Sequence, residues 1–173
     1  LGLSLLTSLP AKGGGWTLTH FDKSFELYST DMLFTVAIVL LKTAIEMLGG
    51  AADYDVPHRI RDGYGMTDEV IAEAAEQGVR LIVSVDTGIR AFAAAEAAQR
   101  AGVDLIVTDH HLPEAQALPP ALVVLNPNQP GCEYPCKALC GAGVAFKVAQ
   151  ALLEKHGRGN LLGIAPYMIP QDY

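Results

Sequence analysis

The chain has few aromatic residues, no excess of basic residues and no hydrophobic run long enough to cross a bilayer. Aromatic side chains make up 7% of its 173 residues although 50% are hydrophobic, a balance typical of a parallel sheet covered by helices. The formal net charge of −7 argues against a protein that grips nucleic acid by bulk positive charge. The longest apolar run, residues 32–41, is interrupted only by Thr35 and is well below the ~20 residues that span a membrane. We therefore expect no membrane partner.

Cysteine is scarce, and its count is odd. Cys132, Cys136 and Cys140 are the three cysteines of the sequence, spaced by four positions. Their spacing falls within the Cys-x₂₋₄-Cys range of structural zinc sites, but such sites need a fourth ligand, so a metal role for these thiols is disfavoured. An odd count without a recognisable secretion signal favours reduced, intracellular thiols. We expect a cytoplasmic protein.

The most informative segment is the six residues 106–111. An apolar run typical of a strand, residues 103–108, ends in an acid followed by two histidines, Asp109, His110 and His111. In an open α/β sheet, ligands bind beyond the carboxyl ends of the strands. Imidazole and carboxylate together suit Mn²⁺, Zn²⁺ or Fe²⁺ better than Ca²⁺. The pattern indicates a metal site, and the alternative is an exposed turn in which polar residues cluster.

A second hydrophobic run with an acid at its end precedes this segment. Residues 81–85 are followed by Asp86, and an alanine-rich stretch over residues 89–101 then predicts a helix closed by Gly102. Strand, helix and strand form a βαβ unit, whose right-handed crossover makes the two strands parallel. Asp86 then lies at the same sheet edge as the Asp-His-His motif. Two acids and two imidazoles on one edge strengthen the prediction of a metal site.

Helical and extended patterns alternate along the rest of the chain. The predicted helices cover residues 35–48, 68–77 with Thr67 as N-cap, 89–101, and 143 to about 156. The predicted strands cover residues 53–56, 79–86, 103–108 and 121–125. This alternation predicts an α/β fold with a doubly wound, mainly parallel sheet and helices on both faces. We place one domain at residues 31–160, after a poorly defined segment 1–30 and before a tail, residues 161–173.

Five ordered motifs resemble those of the DHH phosphoesterases. Two of them are residues 84–89, with Asp86, and residues 107–113, with the Asp-His-His sequence. Three more resemble the RecJ branch of that family, the 5′→3′ exonucleases specific for single-stranded DNA. They are a Pro-x-Arg…Gly-Tyr-Gly segment at 57–65, an Asn-Pro…Tyr-Pro segment at 126–135 and a Gly-x-Gly-Val-Ala-Phe-Lys segment at 141–147. The resemblance covers about residues 35–155.

The resemblance implies metal-dependent hydrolysis of phosphodiester bonds in DNA repair and recombination, with single-stranded DNA as the partner. It implies that Asp31, Asp86 and His110 ligate Mn²⁺ or Mg²⁺, with two ions in the complete enzyme. Asp109 would orient the neighbouring histidine. His111 would face the scissile phosphate as an acid or charge stabiliser. A two-metal site activates water and neutralises the charge of the transition state. No protein partner is indicated.

Two further groups of residues leave alternatives open. His58, Arg59 and Arg61 could contact substrate phosphate, because arginine binds phosphate through two parallel hydrogen bonds. The equal alternative is a solvated loop. Gly141 and Gly143 open a predicted helix whose N-terminus could hold an anion. Equally, they could serve only to let that helix pack closely on the sheet.

The chain departs from the family pattern at two places. The family's Asp-x-Asp-Gly-Thr turn corresponds to residues 31–35, where Leu33 and Phe34 replace the second acid and the glycine. Leucine cannot ligate a cation. The family's fourth acidic motif finds no match in residues 161–173. We therefore expect a fragment of a RecJ-like exonuclease with little or no turnover. The alternatives are a DHH phosphoesterase acting on short oligonucleotides or cyclic dinucleotides, and a catalytically inactive fold fragment.

Overall fold

The computed structural model describes residues 35–55, 66–114 and 117–158. In chain order the elements are α1 (35–47), α2 (Asp68–Glu76), β1 (Leu81–Val85), α3 (Phe92–Ala101), β2 (Asp104–Thr108), β3 (Val123–Leu125) and α4 (Gly141–Lys155). Within these residues the strands form one parallel sheet in the order β1-β2-β3. The predicted α/β fold with a parallel sheet is confirmed.

The strand register brings the carboxyl ends of all three strands to one level. Val85 of β1 lies opposite Thr108 of β2, which in turn lies opposite Leu125 of β3. The ladder continues one residue further, because the Asp86 amide donates to the Thr108 carbonyl at 2.9 Å and the Asp109 amide donates to the Leu125 carbonyl at 3.0 Å. The residues that follow the strands therefore share one edge of the sheet.

Helices cover both faces of the sheet, as the sequence predicts. Because successive side chains of a strand face opposite sides, the two faces form separate hydrophobic clusters. One cluster joins α1, α4 and β1 through Ala37, Leu41, Ala44, Val85, Ala145, Ala149 and Leu153. The other joins α2, α3 and β2 through Ile71, Ala94, Ala95, Ala98, Leu105 and Val107. Alanine dominates the buried stripe of α3, and its small side chain lets the helix axis approach the sheet closely.

The strand predicted over residues 53–56 is wrong for the residues that the structure describes. Residues 51–55 have no regular secondary structure, and Val56 lies outside the described residues. In this segment the backbone forms hydrogen bonds with side chains and not with a neighbouring strand. Lys42 of α1 donates through Nζ to the Ala52 carbonyl at 2.8 Å, and Asp53 Oδ1 accepts from the Tyr54 amide at 2.8 Å. The segment is therefore an exposed connection tied to α1.

Several element boundaries differ from the predicted ones; β3, for example, begins at Val123 and not at residue 121. Strand β1 begins at Leu81 because the Val79 amide is used to close α2, donating to the Ala74 carbonyl at 3.0 Å. Helix α3 begins at Phe92, three residues later than predicted, and α4 begins at Gly141, two residues earlier. Helix α3 ends as predicted at Gly102, which adopts the left-handed conformation with φ of 69°. None of the described helices combines the length and apolar composition needed to cross a bilayer.

Candidate metal centre

The candidate site lies where the three strands end. Asp86 follows β1, Asp109 follows β2, and His110 and His111 continue from Asp109. The backbone of Asp86 has φ of 60°, in the left-handed region that residues with a side chain rarely adopt. Aspartate tolerates this region better than most residues, and such departures from ordinary geometry concentrate at functional sites. The fold therefore holds Asp86 in an unusual turn beside the two histidines.

Three side chains converge at this edge. One donor atom from each of Asp86, His110 and His111 lies within 4.8 Å of the other two. His110 Nε2 is 3.1 Å from Asp86 Oδ1. The site is open to solvent on the histidine side, since the side chain of Asp86 is 21% exposed and that of His111 is 56% exposed. A carboxylate and two imidazoles at this spacing form a set of ligands suited to a divalent transition metal.

The geometry around Asp86 fits a metal ion. Its Oδ1 atom is buried and has no hydrogen-bond partner among the described residues. His110 Nε2 lies at ion-pair distance but is not aligned to donate a hydrogen bond to that oxygen. Two ligand atoms at ~2.1 Å from one octahedral ion lie roughly 3 Å apart, which is close to the observed 3.1 Å. A shared cation would satisfy both atoms.

Asp109 is the buried support of the two histidines. Its side chain is 1% exposed. Oδ2 accepts from the Ile89 amide at 2.9 Å, and Oδ1 accepts from the amides of His110 and His111 at 2.7 and 3.1 Å. Oδ1 also lies 2.7 Å from His111 Nδ1. An ionised carboxylate here accepts a hydrogen bond from a protonated Nδ1, and this leaves Nε2 of His111 as the nitrogen available to a metal or a phosphate.

The two carboxylates of the site have opposite pKa shifts. Burial raises the pKa of Asp86 above its ordinary value, and the nearby His110 and His111 only partly oppose the effect. Burial also acts to raise the pKa of Asp109, but hydrogen bonds from the Ile89 amide and from His111 outweigh it, so the pKa of Asp109 is lowered. The protein thus stabilises Asp109 as an anion through hydrogen bonds. It does not stabilise the anionic form of Asp86 enough to offset burial.

Helix α4 begins directly against Asp86. A Cβ atom added at Gly141 would overlap the Asp86 carboxylate, so only glycine fits this close approach. The helix N-terminus carries partial positive charge, which favours a carboxylate beside it. Of the two alternatives that the sequence left open for Gly141, the structure shows the close-packing contact.

A cleft of about 340 Å³ opens beside His111 on the α3 side. Its lining residues are Met66, Thr87, Gly88, Ile89, Arg90, Ala91, Asp109 and His111. Arg90 is the cation among them, and its Nε atom donates to the Leu112 carbonyl at 3.0 Å. The cleft therefore adjoins the candidate metal centre, and Arg90 gives it one exposed positive charge.

The structure brings together four of the eight site residues that the sequence suggested. Asp86, Asp109, His110 and His111 meet at the strand ends. The others lie outside the described residues and stay predictions; they are Asp31, His58, Arg59 and Arg61. Sequence reasoning assigned no role to Asn126 and Asn128, whose side chains bind the carbonyls of His111 and His110. The available signal was the Asn-Pro-Asn sequence immediately after a strand.

Comparison with known families identifies the family of this chain. Residues 28–168 match the family described as DHH family, N-terminal domain. The chain belongs to the DHH family. The matched region contains all the strands of the described sheet and the whole candidate metal centre.

Curated relatives are similar over most of the chain. The single-stranded-DNA-specific exonuclease RecJ of Dickeya dadantii is 44% identical over 126 residues, which cover 72% of this chain and 21% of that protein. RecJ of Bacillus subtilis is 40% identical over 126 residues, which cover 73% of this chain and 16% of that protein. The chain spans about a fifth of the length of these relatives.

Two solved structures share the fold. A crystal structure of exonuclease RecJ bound to manganese has a TM-score of 0.63 and 32% identity, covering 77% of this chain and 36% of that chain. RecJ of Thermus thermophilus in complex with Mn²⁺ has a TM-score of 0.56 and 31% identity, covering 70% of this chain and 16% of that one. The resemblance to RecJ inferred from the motifs is confirmed.

Proposed function

We propose that this chain carries part of the metal centre of a RecJ-like 5′→3′ exonuclease that hydrolyses single-stranded DNA. The observation that supports it most directly is the convergence of Asp86, His110 and His111 around a point where a cation would satisfy Asp86 Oδ1. The similarity of the chain to single-stranded-DNA-specific exonucleases supports single-stranded DNA as the substrate. The proposal extends to a cytoplasmic enzyme of DNA repair whose phosphoesterase domain includes residues 31–160.

The proposed ion is Mn²⁺, with Mg²⁺ as the weaker alternative. Asp86 and His110 would hold it, and Asp31 would be a further ligand. Imidazole is a poor ligand for Mg²⁺ and a better one for Mn²⁺, and the similar RecJ structures contain manganese. When bound, the ion would supply an activated water and a charge that neutralises the phosphoryl oxygens. The complete enzyme would bind two such ions.

The protein side chains would position the substrate and control protons. Asp109 keeps the proton of His111 on Nδ1, so Nε2 is free to contact the scissile phosphate or the ion. Arg90 at the cleft rim adds positive charge close by. His58, Arg59 and Arg61 would contact phosphates of the strand. An exposed His111 in an open cleft fits a polymer passing across the site better than a small enclosed cyclic dinucleotide.

A calorimetric titration with Mn²⁺ tests the metal centre. We expect the chain to bind Mn²⁺ and His110→Ala to weaken that binding by about tenfold or more. His156→Ala removes an exposed histidine just after α4 and is the matched control, which we expect to bind like the unaltered chain. Equal affinity in His110→Ala and the unaltered chain would overturn the proposed site.

A nuclease assay with labelled single strands tests the activity. Leu33 stands where the family has an acid, and each carboxylate ligand lost weakens metal binding. We therefore expect this chain to degrade single-stranded DNA slowly or not at all. Restoring the acid with Leu33→Asp should raise any Mn²⁺-dependent cleavage of long single strands. Cleavage of short oligonucleotides alone would favour the other DHH activity instead.

A further inference from the structure

Three side chains hold the whole backbone of the His110–His111 dipeptide. The amides of both histidines donate to Asp109 Oδ1. The His111 carbonyl accepts from Asn126 Nδ2 at 2.8 Å, and the His110 carbonyl accepts from Asn128 Nδ2 at 2.7 Å. Every backbone donor and acceptor of the dipeptide is therefore bound by a side chain.

The amide groups of Asn126 and Asn128, here called the asparagine pair, can face only one way. Asn126 Oδ1 accepts from the Asn128 amide at 2.7 Å. Since a backbone N–H can only donate, the other end of the Asn126 side chain must be the NH₂ group that faces His111. Asn126 is 3% exposed, so its hydrogen bonds compete little with water.

The loop that carries the asparagine pair is itself anchored. Pro127 between the two asparagines is buried, and its carbonyl accepts from Lys137 Nζ at 2.6 Å. The same Lys137 atom donates to the Cys132 carbonyl at 2.7 Å. Strand β3 fixes the start of the loop, because the Leu125 carbonyl accepts from the Asp109 amide. The asparagine pair therefore connects the backbone of the two histidines to a loop that is anchored at the sheet.

We propose that Asn126 and Asn128 are positioning residues that aim His110 and His111 at the metal centre, an inference that rests on the proposed function for its catalytic meaning. Among the described residues, the hydrogen bonds of the asparagine side chains go to backbone groups and not to the ligand atoms. Each acts through the carbonyl of one histidine. Metal affinity falls when the hydrogen bonds that orient the ligand residues are removed, even though every ligand residue remains.

Asparagine-to-aspartate substitutions test the pair with almost no change in volume. In Asn128→Asp and Asn126→Asp, a carboxylate oxygen replaces the NH₂ group and faces a carbonyl oxygen, so the hydrogen bond becomes a repulsion at neutral pH. Gln77→Glu makes the same chemical change at the exposed end of α2 and serves as the control. Asn128 is less buried than Asn126, so Asn128→Asp remains informative if Asn126→Asp fails to fold.

The measurements are amide hydrogen exchange of the metal-free chain and Mn²⁺ titration. We expect the amides of His110 and His111 to exchange about tenfold faster or more in Asn128→Asp, while those of Ala95 and Ala98 in α3 are unchanged. Where the unaltered chain binds Mn²⁺, the affinity should fall about 10- to 100-fold. Gln77→Glu should change neither quantity.

Two results would overturn the proposal. One is unchanged exchange at both histidines in the aspartate variants. The other is an equal acceleration throughout α3, which would mean that the asparagine pair supports the whole fold instead of positioning the histidines. If the unaltered chain binds no Mn²⁺, the proposed metal centre fails, but the exchange comparison still tests the pair because it is made without metal.

Discussion

Two carboxylates at the same sheet edge have different tasks because their hydrogen bonds differ. Asp109 accepts from two backbone amides at one oxygen and from Ile89 at the other. Asp86 has an oxygen with no such donor among the described residues. A carboxylate that the protein satisfies is structural support, and one that it leaves unsatisfied is available to a ligand. This contrast gives two predictions at the scale of single residues.

The first prediction is that Asp86→Asn stabilises the metal-free chain while removing metal binding. Burial raises the pKa of Asp86, so the ionised group costs stability at neutral pH. Asparagine is uncharged, has the same shape and tolerates the left-handed backbone. We expect a gain of about 1 kcal/mol, or a melting temperature about 2–4 °C higher. Thermal unfolding in the presence of a chelator measures it.

Asp104→Asn, at the opposite end of the sheet, is the control for Asp86→Asn. Asp104 is exposed and begins β2, so its loss should leave the melting temperature and Mn²⁺ affinity nearly unchanged. A lower melting temperature for Asp86→Asn in chelator would show that the protein itself compensates this charge and would contradict the first prediction.

The second prediction is that Asp109→Asn destabilises the chain in a pH-dependent way. The pKa of Asp109 is lowered in the folded state, so its contribution is present above the ordinary value of 3.8 and is lost as pH falls through the folded value. An amide NH₂ would also face one of the donors that the carboxylate now accepts. We expect a loss of about 2–3 kcal/mol at neutral pH.

Urea unfolding at a series of pH values checks this second prediction. The difference between Asp109→Asn and the unaltered chain should be largest near neutral pH. It should shrink as pH falls below 3.8 and vanish only below the lower pKa of folded Asp109, where that side chain is also neutral. Asp86 acts in the opposite sense, because its raised pKa makes protonation favour the folded state. A difference independent of pH would show that charge is not what Asp109 contributes.

At the scale of elements, the third prediction concerns the start of α4. Replacing glycine by alanine inside a helix usually stabilises it by up to ~1 kcal/mol. Gly141→Ala should instead destabilise the chain by about 1–3 kcal/mol and weaken Mn²⁺ binding, because the new methyl group overlaps Asp86. The methyl group of Gly143→Ala overlaps only the apolar side chain of Leu139, which can move aside, so this variant is the matched control. Chemical unfolding and calorimetry of the two variants test this.

If Gly141→Ala and Gly143→Ala had the same effect, the contact between Gly141 and Asp86 would have no energetic consequence. The comparison isolates that contact because both substitutions lie in the first turn of one helix and add the same methyl group. Any general change of helix propensity is therefore shared between them. The two variants differ in what the new methyl group overlaps, which is the Asp86 carboxylate at Gly141 and the Leu139 side chain at Gly143.

The sequence predicted the elements well where hydrophobic periodicity and a polar end coincide. The strands that precede Asp86 and Asp109 were predicted at the right place, apart from the start of β1, because each is an apolar run followed by an acid. The strand near Asp53 was wrong because its polar residues are exposed and bond to a helix and to one another. The support of the histidines by Asn128 could not be predicted, because it depends on the register between β2 and β3.

At the scale of the whole molecule, the negative net charge is compatible with binding a metal ion but unfavourable for binding DNA. The net charge is −7, and several of the described basic residues are already engaged. Arg100 pairs with Asp68 and Glu96, and Lys137 binds two carbonyls. Arg90 is the arginine that lines the cleft, so the cleft offers little positive charge to a phosphate backbone.

The fourth prediction is that this chain by itself binds single-stranded DNA weakly unless metal is present. Affinity for a phosphate backbone comes mainly from counterion release by basic residues, and an acidic chain releases few counterions. We expect a dissociation constant weaker than about 100 µM in a chelator at physiological salt. Mn²⁺ should tighten binding in the unaltered chain but not in Asp86→Asn, since the ion would bridge protein and phosphate. Fluorescence anisotropy of a labelled oligonucleotide measures this, and tight metal-independent binding would place the DNA grip within these residues.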